Sequence, residues 1–570
     1  MMSRRNLFAA ALALPALLYL GVVYFYPLFR LLLLSFGIPH FTTENYQRFL
    51  FSEGYLAIAG RTLFVSVTVT AICALVGYGT AAFLDHNRRA GRDWVSLLVV
   101  VPLTTSLLVR TYAWVIVFGD RGPINGLLQL LHIIDAPVPM VFTSFAVFVG
   151  MVHVMLPLMI LPIYSVMRGV DRELLRASAS LGAGSVRTFL RVYLPQTLPG
   201  VASGSMLVFV MSLGFYITPA ALGGLNDTML SNVIAQQVGS AMNFPFAAAI
   251  AMIVLAAVMT AMLAAQLLSS RLRATRRGGA FRGESMPGMV GKRWREGVRR
   301  RWMRRLNDPV AAARGRVPLL NIAGWSVLIF LILPTLIVVA ISFGSDPFMS
   351  FPPRHPTLHW YRNFFDDTSW LSALALSVQL AIITAFVALA LSTMAAYGFS
   401  RSTFRGQSLL RGLLLTPVIV PSVVGAIGMY GVMSSWGLVG SAIGIVLAHV
   451  TGAITLAFLV VSAGFTMLDP RLEMASEGMG ASRWQTFRRV VMPPLSPSLQ
   501  AAALLAFIYA FDEVVIASFI GGLQLRTLPL RMWEDMRNQV DPTIAATSAL
   551  LLLVPVLAAF SSRRNKALTL

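Results

Sequence analysis

DRELLRASASLGAGSVRTFLRVYLP, residues 171–195, and DPRLEMASEGMGASRWQTFRRVVMP, residues 469–493, are one pattern written twice. At an offset of 298 positions, Asp171, Leu174, Ala177, Ser178, Gly182, Ala183, Thr188, Phe189, Arg191, Val192 and Pro195 meet Asp469, Leu472, Ala475, Ser476, Gly480, Ala481, Thr486, Phe487, Arg489, Val490 and Pro493. The register runs on without a gap through Pro199/Pro497 and Phe209/Phe507 to Gly223-Gly224 and Gly521-Gly522. Chance similarity between apolar segments does not align Asp, Gly, Arg and Pro together, so the two halves of the chain are duplicated units. Within each copy a short helix opens at Asp171 or Asp469, an acid suited to a helix N-terminus, and closes at Gly182 or Gly480. A second short helix, 188–192 or 486–490, leads into a proline expected to start the next apolar run. The small residues Ala177, Ser178, Ala183 and Ala475, Ser476, Ala481 let another protein's surface come close to the backbone.

The surroundings of this pattern are apolar. Of 570 residues 57% are hydrophobic and 12% charged, about half the charged fraction of a soluble domain. That leaves too little polar surface to cover a water-facing globule. The apolar runs are long enough for spanning helices and too long for barrel strands. Blocks at 7–36, 61–84, 94–118, 140–167, 198–221 and 245–268 are followed by a second set at 319–343, 373–399, 412–433, 442–467, 498–520 and 544–560. The expected fold is an all-α membrane protein of about twelve spans, in two tandem six-helix halves of the same orientation.

Charge sets that orientation. The segment 269–318 holds 15 Lys/Arg against 3 acids, so +12 of the net +22 lies between the two sets of spans. A basic segment so placed reads as a cytoplasmic linker brushing anionic lipid, joining a first half, 1–268, to a second, 319–570. No aromatic-interleaved platform or zinc spacing accompanies it, which argues against nucleic acid. Arg88, Arg89 and Arg92, then Arg168, Arg172, Arg176, Arg187 and Arg191, fall on that same side. So do Arg401, Arg405, Arg411, Arg471, Arg483, Arg488 and Arg489, with Arg563, Arg564 and Lys566 at the end. Both termini are then expected in the cytoplasm, and the repeated elbows at 171–195 and 469–493 face it.

Several chemistries are set aside. The lone Cys73 forms no internal disulfide, and no Cys/His spacing suggests a metal. No G-x-x-x-x-G-K-[ST] occurs, so the chain has no phosphate cradle and no catalytic residues for ATP hydrolysis. An alternative is a twelve-span secondary carrier driven by an ion gradient. The acidic-basic stretch from Asp85 to Arg92 echoes such carriers, but the second half has no acid in its counterpart, Arg401 to Gly406.

At the elbows the sequence resembles the permeases of binding-protein-dependent ABC importers, whose hallmark is a cytoplasmic Glu-Ala-Ala then Gly loop that docks on an ATPase subunit. Further stretches narrow the resemblance to the spermidine/putrescine type: Pro102 to Ser106, Val109 to Trp114, Gly214 to Pro219, Phe511-Asp512-Glu513 and Thr527-Leu528-Pro529. The likeness covers nearly the whole chain apart from the linker, and in that family the halves are commonly separate subunits. It implies a multi-pass protein of the bacterial inner membrane. Two copies of a cytoplasmic ABC ATPase, carrying ATP and Mg, would grip the elbows, and a periplasmic solute-binding protein would deliver a small solute. The implied coupling residues are Asp171, Ala177, Ser178, Gly182, Ala183, Asp469, Ala475, Ser476, Gly480 and Ala481. One departure stands out: the motif's Glu position holds Arg176 in the first half and Met474 in the second, with Glu473 and Glu477 nearby in the second copy.

Ionisable groups within spans are functional candidates by default. Asp512 and Glu513 lie in the eleventh span, where the first half has Gly214 and Phe215. Either a solute ammonium or an Arg or backbone partner between helices would satisfy them. Tyr216, Tyr112 and Trp114 are candidate ring partners for a cation, the last two equally suited to interfacial anchoring. The resemblance implies a polyamine-like or other amino-bearing solute, while related permeases carry ferric iron, aminophosphonates and opines.

Overall fold

No water reaches a bilayer core to satisfy a free peptide group, so each apolar block closes its hydrogen bonds within a helix. The computed structural model describes residues 11–89, 91–278, 317–347, 350–353, 355–522, 524–538 and 541–552. Most of the basic linker, the first residues of the first block, and Arg563, Arg564 and Lys566 lie outside the described residues. Among the described residues nine helices are long and apolar enough to cross a membrane. The first half supplies Leu14–Ser35, Glu53–Arg88, Ser144–Arg168, Ser185–Leu213 and Phe244–Leu267. The second supplies Pro318–Ser342, Thr368–Arg401, Ala442–Met467 and Arg483–Asp512. The last block is described to Leu552, as the apolar helix Thr543–Leu552.

The third span of each half departs from the expected continuous helix. Trp94–Thr104 and Leu107–Leu130 meet at 93°, and Gln407–Ile419 and Ser422–Ser435 at 99°. The second break has a direct cause in the sequence: Pro421 disfavours helical geometry at the residue before it, and Val420 is extended, with ψ 129°. At the first break Thr105 is extended, with ψ 139°, although no proline follows it. Counting each bent pair as one span gives eleven among the described residues.

The second, fourth and fifth spans of each half pack on one another as a three-helix core. The first spans are exchanged: Leu14–Ser35 lies against the second half, and Pro318–Ser342 against the first. The exchange is pinned by a polar contact from each first span: the Tyr19 hydroxyl donates to the Leu447 carbonyl at 2.5 Å, and the His153 ring lies 3.1 Å from the Leu331 carbonyl. Gly324 makes one of these crossings possible, because a Cβ there would sit 2.2 Å from the Phe83 ring.

The elbows also differ from expectation in one respect. The second arm does not stop at the proline; helix runs unbroken over Ser185–Leu213 and Arg483–Asp512. It passes Pro195 and Pro493 through matched π turns, Phe189–Tyr193 and Phe487–Val491. A proline ring clashes with the carbonyl four residues back in an α-helix, and the wider π turn relieves that clash. Each elbow arm is therefore the first part of a transmembrane helix.

Candidate functional site

Each elbow begins with a capped helix. Asp171 accepts the Glu173 N–H at 2.9 Å and opens Arg172–Ser180; Asp469 accepts the Arg471 N–H at 2.9 Å and opens Pro470–Gly478. Gly182 and Gly480 then reverse the chain with φ of +80° and +86°, a region that costs an L-residue about 1–2 kcal/mol. The reversal is closed by Ala183 and Ala481, whose N–H groups donate at 3.2 Å to the Ser178 and Ser476 carbonyls. The same two serines tie the arms together, with hydroxyls 3.0 Å from those of Thr188 and Thr486. The bends are thus braced solids in which Ser178 and Ser476 face inward and Ala177 and Ala475 are exposed.

Apolar side chains crown both bends at matched positions. Leu181 and Met479 are 88% and 83% exposed, Val186 and Trp484 62% and 68%, Leu174 and Leu472 49% and 51%. Three repeat-related pairs of bare hydrophobic groups around open glycines form a surface that a second protein would cover. Arg176 and Met474, at the motif's Glu position, both belong to this exposed surface.

A buried charge joins each elbow to the second span. Arg401 approaches Glu473 at 2.7 Å, with its Nε donating at 2.8 Å. The Tyr397 hydroxyl donates to the other carboxylate oxygen at 3.1 Å. In the first half the signs are reversed: Arg172 of the elbow lies 3.9 Å from Asp85 of the second span, with Arg88 3.7 Å from the same carboxylate. The neighbouring Glu473 was the sole hint of this in the sequence; its partner is far away along the chain.

At the far end of each fifth span the halves meet across the helix breaks. Asp512 accepts from the Ser106 hydroxyl and, at 2.9 Å, from the Leu107 N–H. It thereby caps Leu107–Phe118, the helix that restarts after the break. The reciprocal contact is steric, for a Cβ on Gly214 would lie 2.1 Å from the Pro421 side chain. Glu513 accepts the Ile516 N–H at 2.6 Å and lies 3.7 Å from His449. Both acids therefore meet backbone N–H groups. Arg110 is buried one turn beyond the Asp512 cap. Tyr112 is buried, and Trp114 is buried among Phe118, His153 and Phe330.

Beyond this crossing, on the side remote from the elbows, a cavity of about 1020 Å³ opens between the halves. Tyr216 and Gln236 line it from the first half, and Tyr430, Trp533, Glu534 and Arg537 from the second. The Tyr216 and Trp533 rings are 5.7 Å apart. Of the residues singled out for a solute path, Tyr216 lines this cavity, whereas Asp512, Glu513, Tyr112 and Trp114 do not. The helix Leu528–Asn538, which supplies Trp533, Glu534 and Arg537, went unnoticed in the sequence because its many charges make it read as an outer loop. Arg531 fixes this wall to the start of the second span, 3.1 Å from Asp367 and 4.3 Å over the Trp370 ring. The Ser369 hydroxyl and the Arg531 guanidinium hold the Asp367 carboxyl below its ordinary value.

Comparison with known proteins finds the same duplication. Residues 73–274 and 388–566 each match the family model of the binding-protein-dependent transport system inner membrane component. The spermidine/putrescine transport system permease protein PotB of Escherichia coli is 34% identical over 238 residues, 42% of this chain and 86% of that protein. PotC of Haemophilus influenzae, also a spermidine/putrescine permease protein, is 26% identical over 240 residues, 41% of this chain and 93% of that protein. A relative that is matched over most of its own length yet spans under half of this chain is what a fused pair requires. The chain belongs to the family of binding-protein-dependent transport system inner membrane components, with both permease halves on one polypeptide.

Proposed function

We propose that this ABC-importer permease is driven by two copies of a cytoplasmic ATPase subunit, which bind ATP and Mg and dock on the elbows at 171–195 and 469–493. A periplasmic binding protein delivers the solute on the opposite side, and ATPase closure switches the path between the halves. Both termini and the linker at 269–318 are then cytoplasmic, a placement the positive charge of the loops supports. The observation that carries this reading is the matched apolar crown on the two braced bends. An apolar surface presented twice, on a body continuous with a transmembrane helix, suits a driver that binds in pairs and pushes.

The solute proposed is a polyamine-like or other amino-bearing compound. The named relatives are spermidine/putrescine permeases, and the cavity between the halves offers rings with a carboxylate beside them, Tyr216, Tyr430, Trp533 and Glu534. Aromatic faces attract a cation by ~0.5–2 kcal/mol each. Asp512 would meet the ammonium group only once its cap on Leu107 opens.

The test is spermidine uptake by vesicles holding the permease, its co-expressed ATPase and its receptor protein. Leu181→Asp with Met479→Asp places charges on exposed positions and is expected to abolish ATPase co-purification and uptake together. Retention of the ATPase with full uptake would remove the docking role, and uptake without ATP or ATPase would transfer the chain to the ion-gradient carriers. Glu534→Gln is expected to lower spermidine uptake more than basal ATP hydrolysis; unchanged uptake would reject the cavity as the solute's entrance.

A further inference from the structure

A docking surface transmits force only if the elbow is fixed to the helices it must move. By covalent connection each elbow is joined to the fourth span before it and the fifth span after it. Nothing in the chain path joins it to the second span, the third member of each half's core. Ion pairs supply that missing attachment, one fully buried in the second half and one partly buried in the first. Glu473 is 1% and Arg401 8% exposed at the side chain, so the pair is dry, and both Glu473 oxygens are engaged. Around it the core closes: Arg401 lies over the Phe465 ring at the end of the fourth span, and Tyr397 meets Phe465 and Phe487 edge-on. One side-chain cluster thus gathers the second, fourth and fifth spans and the elbow.

The first half reaches the same result from different residues. Glu473 corresponds in the repeat to Leu175, and Arg172 to Pro470. Neither charge was therefore copied from the other half. An elbow base on a second-span acid and an elbow acid on a second-span base share only the tie itself. Burying charges carries a large desolvation cost, and apolar residues would pack such a position at less expense. Two independent solutions at the same joint mark it as functional.

We propose that Glu473 with Arg401, and Arg172 with Asp85, are positioning residues that clamp each coupling elbow to its own second span, so that ATPase motion turns the three-helix core as one body. This rests on the elbows being the ATPase docking sites. Since Glu473 and Arg401 are buried under the elbow rather than on its crown, ATPase binding and coupling separate in the test.

The experiment uses the complete complex in vesicles and reads three quantities: ATPase co-purification, ATP hydrolysis, and spermidine taken up per ATP hydrolysed. Glu473→Gln leaves the Arg401 charge buried without its counter-charge and is expected to keep the ATPase bound while lowering uptake per ATP by about tenfold. The exchange Glu473→Arg with Arg401→Glu is expected to recover most of that loss. Should Glu473→Gln fail to fold, Glu473→Leu with Arg401→Met, which fills the joint with apolar groups, decides instead, and is expected to fold yet transport poorly per ATP. Normal uptake per ATP in Glu473→Gln or in the apolar pair, or no recovery in the exchanged pair, overturns the clamp. Loss of the ATPase from the unaltered complex would instead defeat the docking reading beneath it.

Discussion

In the second half an elbow acid, Glu473, meets a second-span base at 2.7 Å, and both side chains are buried. In the first half an elbow base, Arg172, stands 3.9 Å from a second-span acid and is 35% exposed. The bends themselves share their main features: the same aspartate cap, the same left-handed glycine, the same serine–threonine tie, the same π turn into the fifth span. Duplication has therefore held the shape of the elbow constant while the chemistry of its contact with the second span diverged. A similar divergence recurs at the far ends of the fifth spans, where Asp512 reaches the first break with a charge and Gly214 reaches the second break with no side chain. The second half carries the polar version of one contact and the drier version of the other, so the halves are expected to answer unequally to equivalent changes.

The most severe way to probe the shared part is Gly480→Arg, compared with Gly182→Arg. Each forces an L-residue into φ above +80° or at it, costing about 1–2 kcal/mol, and plants a long cation in the middle of the apolar crown. Uptake and ATPase co-purification are expected to be lost in both, with the permease still inserted in the membrane. If one variant transports normally, its elbow is not a handle, and the equivalence of the two bends fails.

A smaller effect separates the two breaks. Asp512→Asn keeps an acceptor for the Leu107 N–H but gives up a charge-assisted bond worth about 1.5–3 kcal/mol. Uptake of spermidine is expected to fall by about tenfold to a hundredfold, more than basal ATP hydrolysis, on that scale of energy. Gly214→Ala drives a methyl against Pro421 and is expected to cost about 1–3 kcal/mol of stability by overpacking, read as a lower melting temperature in detergent. If Asp512→Asn leaves uptake unchanged, Asp512 is a packing residue and the two breaks are mechanically alike.

What was legible in the sequence follows from the range of each signal. Asp171, Gly182, Asp469 and Gly480 act on their own neighbours, and caps and left-handed turns can be read from a few adjacent residues. The spans were legible because lipid imposes a length of apolar run. The break at Val420 was written in Pro421, but that at Ser106 depends on Asp512, over four hundred residues away, and could not be read locally. The Glu473–Arg401 clamp and the exchange of first spans are likewise long-range. Trp533 and Glu534 escaped because a helix bordering a wet cavity has the composition of a loop. Arg176 and Met474, which replace the motif's Glu, both sit on the exposed crown in the fold, and in the second half the buried acid is the preceding residue, Glu473.

The mildest change tests the inequality of the clamps most directly. Arg172 is partly exposed, its contact with Asp85 is long, and Arg88 remains beside the same carboxylate when Arg172 is neutralised. Partly exposed pairs contribute about 0–1 kcal/mol, so Arg172→Gln is expected to lower spermidine uptake per ATP by less than about fivefold on that range, and by less than Glu473→Gln. An equal loss in both would mean that the clamps bear equal load despite their different burial, and that distance and exposure do not rank them. A greater loss from Arg172→Gln would reverse the ranking and make the first elbow the driven one, with the tighter pair in the second half serving to hold its helices still.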